Sequence, residues 1–169
     1  FAATATRIEA VLGDAKPDRE PRRPEVSRDE MRRLWSGAMP LAGTPGERYF
    51  ERRGLAAPRS LRYSPVVWYA RNAGAPAILA QIAGQDGRCV NLFRTFIDQE
   101  GGKAKIDRPK RMMMAATPGS IAVKLAPLGP ILGIAEGIET ALAAAVIFSL
   151  PVWAVTGTGF MERFAVPDG

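Results

Sequence analysis

Ile131-Leu132-Gly133-Ile134-Ala135-Glu136-Gly137-Ile138-Glu139-Thr140-Ala141-Leu142 decides the fold of the second half of this chain. A near-continuous apolar run ends in one acid, Glu136, and Gly137 turns the chain. Ile138 to Phe148 is alanine-rich and apolar almost all round, as in a helix covered on most sides. Pro151-Val152-Trp153-Ala154-Val155-Thr156 is a second apolar run, followed by Gly157-Thr158-Gly159. Strand, helix and strand in so short a span make a βαβ unit, whose strands should be parallel and covered on both faces. Ligands of open parallel sheets sit beyond the carboxyl ends of the strands, and Glu136 stands at such an end.

Upstream the pattern is different. Ala77-Ile78-Leu79-Ala80-Gln81-Ile82 and Cys89-Val90-Asn91-Leu92-Phe93-Arg94-Thr95-Phe96-Ile97 are two β-rich runs. Gln85-Asp86-Gly87 between them predicts a hairpin turn. A polar tip follows over residues 98–103, then the cations Lys105, Arg108, Lys110 and Arg111. Residues 120–125 predict another strand, and residues 61–69 an extended segment broken by Pro65. Ser27 and Glu30 form a capping box ahead of a helix that puts Met31, Leu34, Trp35 and Ala38 on one face. Thr44-Pro45-Gly46-Glu47 repeats the start signal for a helix that stops at Gly54. Residues 2–12 suit a short helix, and residues 14–26, with three prolines and many charges, read as a solvated linker.

The chain has 169 residues, a net charge of +6 and a pI near 10.0, a balance that favours an acidic partner such as nucleic acid or nucleotide phosphates. It contains no histidine and one cysteine. That excludes an internal disulfide, a zinc site of cysteine and histidine, and any histidine general base. Acid–base work and metal binding therefore fall to carboxylates, lysines and hydroxyls. Cys89, in a strand-like run, reads as a small buried residue. No apolar stretch is long and uninterrupted enough to span a membrane, and no signal-peptide layout is present, so a cytoplasmic location is expected. The initial Phe1 suggests a piece of a longer protein.

Gly133-Ile134-Ala135-Glu136-Gly137-Ile138-Glu139-Thr140-Ala141-Leu142 resembles the first motif of the toprim fold, in which a hydrophobic strand runs into Glu-Gly and a helix follows. The Glu-Gly-Ile-Glu-Thr-Ala-Leu variant is similar to primase-like proteins of phages, plasmids and integrated elements, relatives of bacterial primases. Arg48-Tyr49-Phe50-Glu51-Arg52-Arg53-Gly54-Leu55, Leu61-Arg62-Tyr63-Ser64-Pro65, Arg94-Thr95-Phe96-Ile97-Asp98 and Gly102-Lys103-Ala104 are similar to the region ahead of toprim in that group. The resemblance covers about residues 28–169. More distantly, Gly87-Arg88 and Pro109-Lys110 resemble basic positions of bacterial primases.

The resemblance implies an α/β protein in which an α+β part with helices and a β-hairpin precedes an incomplete toprim βαβ unit. The division is 1–27 (helix and linker), 28–128 (basic subdomain) and 129–169 (start of toprim). It implies primer synthesis on single-stranded DNA from nucleoside triphosphates, with Mg²⁺ or Mn²⁺ as cofactor. Glu136 would be catalytic and a metal ligand. Arg88, Arg94, Lys103, Lys110 and Arg111 would contact template or nucleotide. A replicative helicase is a further implied partner, with no membrane role. The sequence departs from the family in lacking its zinc domain and its Asp-x-Asp pair, so Glu136 lacks the carboxylates that would complete a magnesium site. Glu139 reads as a structural acid in the first helical turn and Asp168 as a turn residue. A toprim nuclease or phosphotransferase, and a non-catalytic nucleic-acid-binding or helicase-docking module, remain alternatives.

Overall fold

The computed structural model describes residues 26–113, 117 and 119–167. The helix expected over 2–12, the linker up to residue 25 and Asp168 lie outside the described residues.

Helix α1 spans Arg28–Ser36, and the Ser27 hydroxyl accepts the Glu30 N–H at 3.1 Å, one half of the expected capping box. Its apolar face buries Met31 and part of Leu34 and Trp35 against Leu92, Met113, Leu79 and Phe96. Ala38 lies beyond the helix end yet is buried in the same cluster. Helix α2 spans Pro45–Glu51. The Thr44 hydroxyl accepts the Gly46 N–H at 3.1 Å, and the Glu47 carboxylate accepts the Gly43 N–H at 2.7 Å. Tyr49 and Phe50 of α2 are fully buried and meet edge to face at 5.4 Å.

Strands β1 (Met39–Pro40), β2 (Arg62–Ala70), β3 (Ala73–Gly84), β4 (Cys89–Phe96) and β5 (Lys110–Met112) lie side by side in chain order, each pair antiparallel. Strand β6 (Ile121–Ala122) joins the far end of β3 and completes a six-stranded sheet. The Asp86-Gly87 hairpin forms as the sequence predicts, with Gly87 at φ 76°. Pro65 does not break its segment. It lies within a register shift between Ser64 and Val67, on a strand whose outer neighbour β1 pairs only with Arg62 and Tyr63. A residue without an N–H is tolerated at such a bulged edge. Cys89 is exposed rather than buried, which corrects the sequence reading: it opens β4 beside the hairpin turn, where an alternating pattern no longer forces a side chain inward. Its Sγ donates to the Asn91 carbonyl at 3.3 Å, and partial burial of the sulfur pushes the thiol pKa up against the opposing effect of that backbone contact.

Strands β7 (Gly133–Ala135) and β8 (Val152–Ala154) are parallel and joined by helix α3 (Ile138–Phe148), as the sequence predicts for a βαβ unit. On one face Ala135, Ile138, Ala141, Val152 and Ala154 enter the same core as Tyr49, Phe50, Ile78 and Ile82. On the other, Trp153 and Val155 pack with Ala122, Ile134 and the short helix α4 (Thr158–Met161). Both faces of the unit are therefore covered. Helix α3 is not buried all round: Val146, Ile147 and Phe148 stay exposed at its carboxyl end. The predicted strand over 120–125 is short. Beyond β6, Val123 exchanges backbone bonds of 2.7 and 3.1 Å with Ala154 and so stitches the two sheets together. The fold is mixed α/β. The boundary expected at residue 128 falls between the two sheets, while a single core runs through both.

One loop contact is tight enough to test. Gly101, at φ +77°, is buried against α2, and a Cβ there would lie 2.8 Å from the Tyr49 nitrogen and 2.9 Å from the Arg48 carbonyl carbon. Arg48 and Arg52 hold the same loop by donating to the Gln99 and Glu100 carbonyls at 2.7 and 3.1 Å. Gly101→Ala should therefore lower the urea-unfolding free energy by about 2 kcal/mol or more. Gly159→Ala, where a Cβ meets nothing within 4 Å, should change it by no more than about 0.5 kcal/mol.

Candidate functional site

The carboxyl ends of two parallel strands meet at Glu136 and Thr156. Glu136 follows β7 and is exposed, and Gly137 behind it is the N-cap of α3. The Thr156 N–H donates to the Glu136 carbonyl at 2.8 Å, so the two strand ends are fixed side by side. Thr156 has φ 61°, a left-handed conformation that a β-branched residue rarely adopts. Its Oγ1 is buried and finds no hydrogen-bond partner among the described residues. Strain and an unsatisfied hydroxyl together cost roughly 2–5 kcal/mol, and such costs cluster where a site needs a fixed shape.

Glu139 links this turn to the six-stranded sheet. Its Oε1 accepts from the Tyr49 hydroxyl of α2 at 2.5 Å and from the Lys110 Nζ of β5 at 2.6 Å. The side chains of Lys110 and Glu139 are 32 and 21 % exposed. Burial works to raise the Glu139 pKa, but the hydrogen bonds from Lys110 and Tyr49 outweigh it and hold the carboxyl below its usual range. Burial, then the bond to Glu139 and its negative charge, push the Tyr49 hydroxyl far up, so it stays a proton donor. The Arg53 guanidinium opposes that shift from 3.6 Å over the Tyr49 ring.

The cations singled out from sequence do not form one patch. Lys110 and Arg111 are neighbours in β5 and therefore face opposite sides of the sheet. Lys110 faces the shared core and reaches Glu139, within one helical turn of Glu136. Arg111 sits opposite Arg94 on the other face. There the Arg94 and Arg111 guanidinium carbons lie 5.6 and 5.2 Å from the Phe96 ring, and Arg111 is also 5.8 Å from the Tyr69 ring. Arg62, Leu79, Arg94 and Arg111 stand in one cross-strand row. Arg111 Nε and Nη2 are buried without a hydrogen-bond partner among the described residues. Arg88 is at the hairpin turn, ion-paired with Asp86 at 3.8 Å in the open. Lys103 is exposed past the other end of β4, roughly 25–30 Å of strand away from Arg88.

Glu136 is the only carboxylate that the sequence reading assigned to a metal. Among the described residues no three of His, Cys, Asp or Glu come together, so Glu136 has no ready-made cluster of metal ligands around it. No helix among the described residues is long and apolar enough to cross a membrane. Sequence reasoning missed the Tyr49–Glu139–Lys110 contact. An acid in a first helical turn has a local explanation in the macrodipole, and nothing local announces a partner 90 positions away.

The architecture is that of a mixed α/β protein with a basic, aromatic-lined antiparallel sheet joined to a βαβ unit. Residues 25–123 match the Domain of unknown function (DUF7146), and the chain, over half of which is matched, belongs to that family. No curated protein and no solved structure matches it. The matched residues end before β7, so the Glu136 turn lies outside them.

The Glu139 contact sets a pH response. A carboxyl held below its unfolded pKa contributes stability that is present above the ordinary glutamate pKa of about 4.3 and is lost as pH falls through the folded value. Glu139→Gln should cost about 1–3 kcal/mol at pH 7 in urea unfolding, and the gap to the unmodified protein should narrow as pH drops below about 4. A gap of the same size at both pH values would show that charge at Glu139 does not contribute.

Proposed function

We propose that this chain is part of a primase-like nucleotidyltransferase that works on single-stranded DNA with ribonucleoside triphosphates. The supporting observation is the Glu136 turn: an exposed acid at the carboxyl end of a parallel strand, with Gly137 opening the following helix and Thr156 fixed beside it. The basic character of the chain and the exposed cations Lys103, Lys105 and Arg108 suit a polyanionic substrate.

In this reading Glu136 accepts the proton of the attacking 3′-hydroxyl. That oxygen bonds to the α-phosphorus, the bond from the α-phosphorus to the bridging oxygen breaks, and pyrophosphate leaves with the electron pair. Lys110 is committed to Glu139 and acts by holding the first turn of α3, rather than by gripping a phosphate. The toprim resemblance implies Mg²⁺ or Mn²⁺. The carboxylates described here do not suffice to hold it, so no step is assigned to a metal. That donor set favours one second reading, in which the chain is a nucleic-acid-binding module and the chemistry belongs elsewhere.

Ribonucleotide incorporation on a single-stranded template separates the two readings. The chain alone should show no synthesis. A longer polypeptide that adds an Asp-x-Asp strand after residue 169 should synthesise primers, and Glu136→Gln in it should lower the rate by about 100-fold or more with unchanged unfolding. Full activity of that variant would remove Glu136 from the mechanism, and no activity in the longer polypeptide would favour the binding module.

Binding itself should be strongly salt-dependent. Replacing Lys103, Lys105 and Arg108 together by alanine should reduce the slope of log K against log salt by up to about 2, measured by fluorescence anisotropy with a labelled oligonucleotide. Salt-independent affinity would argue against a phosphate-contacting face.

A further inference from the structure

Strand β7 is paired on one side alone. The Gly133 N–H donates to the Pro151 carbonyl at 2.9 Å and the Ala135 carbonyl accepts the Val155 N–H at 2.9 Å, so these two residues turn their peptide groups towards β8. The far side of β8 is closed by the bonds between Val123 and Ala154. By the period of two, Leu132 and Ile134 turn their peptide groups the other way, where β7 meets no strand among the described residues. The outer edge of β7 therefore presents two N–H and two C=O groups that have no backbone partner among the described residues.

An apolar surface adjoins this edge. Helix α3 runs back from the end of β7 to the start of β8, which brings its carboxyl end beside the start of β7. A Cβ on Gly133 would lie 3.1 Å from Cδ1 of Leu150, and one on Gly129 would lie 3.1 Å from Cγ of Pro151. Ile131 is 67 % exposed, and Val146, Ile147 and Phe148 are 76, 72 and 68 % exposed. Large apolar side chains gathered at an open strand edge mark a contact with another polypeptide.

Charge narrows the choice of partner. Between Lys124 and Glu162 the charged residues are Glu136 and Glu139 alone, in a chain of net charge +6. No cation stands here to hold a phosphate, so a nucleic acid does not fit. An extended polypeptide strand does fit, because it supplies N–H and C=O groups at the spacing of the edge. A second copy of this chain brings the same edge, with donors and acceptors on the same two residues. It approaches along a stretch free of the positive charge that would otherwise repel it.

We propose that the outer edge of β7 pairs antiparallel with β7 of a second copy, about a two-fold axis at Gly133. Leu132 of each copy then faces Ile134 of the other, and each such pair exchanges two hydrogen bonds. Neighbouring strands lie about 4.8 Å apart and α3 covers β7 and β8, so the two α3 helices come to about 10 Å from each other, a normal packing distance. The helices run antiparallel, which sets the apolar end of each beside the first turns of the other. This contact is independent of the nucleotidyl-transfer reading.

Sedimentation velocity on the whole chain over a wide range of concentration, with hydrogen exchange on the same samples, tests the pairing. A monomer–dimer equilibrium is expected, with exchange at the Leu132 and Ile134 amides slowing as the dimer fraction rises. Ile131→Lys and Ile147→Lys, both at exposed positions, should each raise the dimer dissociation constant by about 10-fold or more, with an unchanged unfolding midpoint in dilute solution. Val166→Lys, at an equally exposed apolar residue beside the Ala165–Ser120 contact, should leave the constant unchanged. A monomer at every concentration with fast exchange at both amides would overturn the proposal, as would a dimer indifferent to Ile131→Lys and Ile147→Lys. Protection of the two amides in a monomer would assign the edge to another segment of the same polypeptide, and so overturn the second copy as its occupant.

Discussion

The carboxylate of Glu139 is where the two halves of the molecule are locked together. One oxygen receives the Tyr49 hydroxyl from α2 and the Lys110 ammonium from β5, and the residue itself opens α3. Each bond involves a charged partner in a partly buried place, and hydrogen bonds of that kind contribute about 1.5–3 kcal/mol each. The apolar core supplies the bulk of the cohesion, but it is non-directional. The polar contact specifies how the βαβ unit is set against the sheet, and with it where the Glu136 turn points. Among the described residues that share the constraint, Val123 adds a backbone stitch to Ala154 and Gly101 brings its loop against the backbone of α2.

The period of two in β5 divides the cations between two environments. Lys110 and Arg111 are adjacent in sequence, yet one is drawn into the junction and the other stands among rings on the opposite face. A run of positive charge therefore does not become a patch of positive charge. The exposed part of that run, Lys103, Lys105 and Arg108, lies on the connection between β4 and β5. The aromatic and guanidinium groups collect on the sheet.

Thr156 shows the same economy at the other end of the molecule. Its left-handed backbone carries the N–H to the Glu136 carbonyl and turns the chain towards α4. Glycine follows at once in Gly157, and could have taken the strained position at no steric cost. A β-branched residue with a shielded hydroxyl there indicates that the shape of the strand-end turn is held against a local penalty, beside the most exposed acid of the βαβ unit.

By itself the sequence determined the local elements. Capping residues at Ser27 and Thr44 set two helix starts, Asp86-Gly87 set the hairpin, and the apolar runs around Glu136 set two parallel strands and their crossover helix. These are short-range matters of backbone preference and side-chain period, and they are written in neighbouring residues. Pro65 was misleading, because whether a proline ends a strand depends on whether a neighbour needs its N–H, and β1 does not extend that far. Cys89 was misleading for a related reason, since a strand's first residue has no fixed obligation to the core. The pairing of β5 with β4, the split between Lys110 and Arg111, and the union of Glu139 with Tyr49 and Lys110 were decided only by tertiary structure. Each joins residues across strands or across sheets, where the governing quantities are register, burial and the need to pair a shielded charge, and none of these exists until the chain has folded.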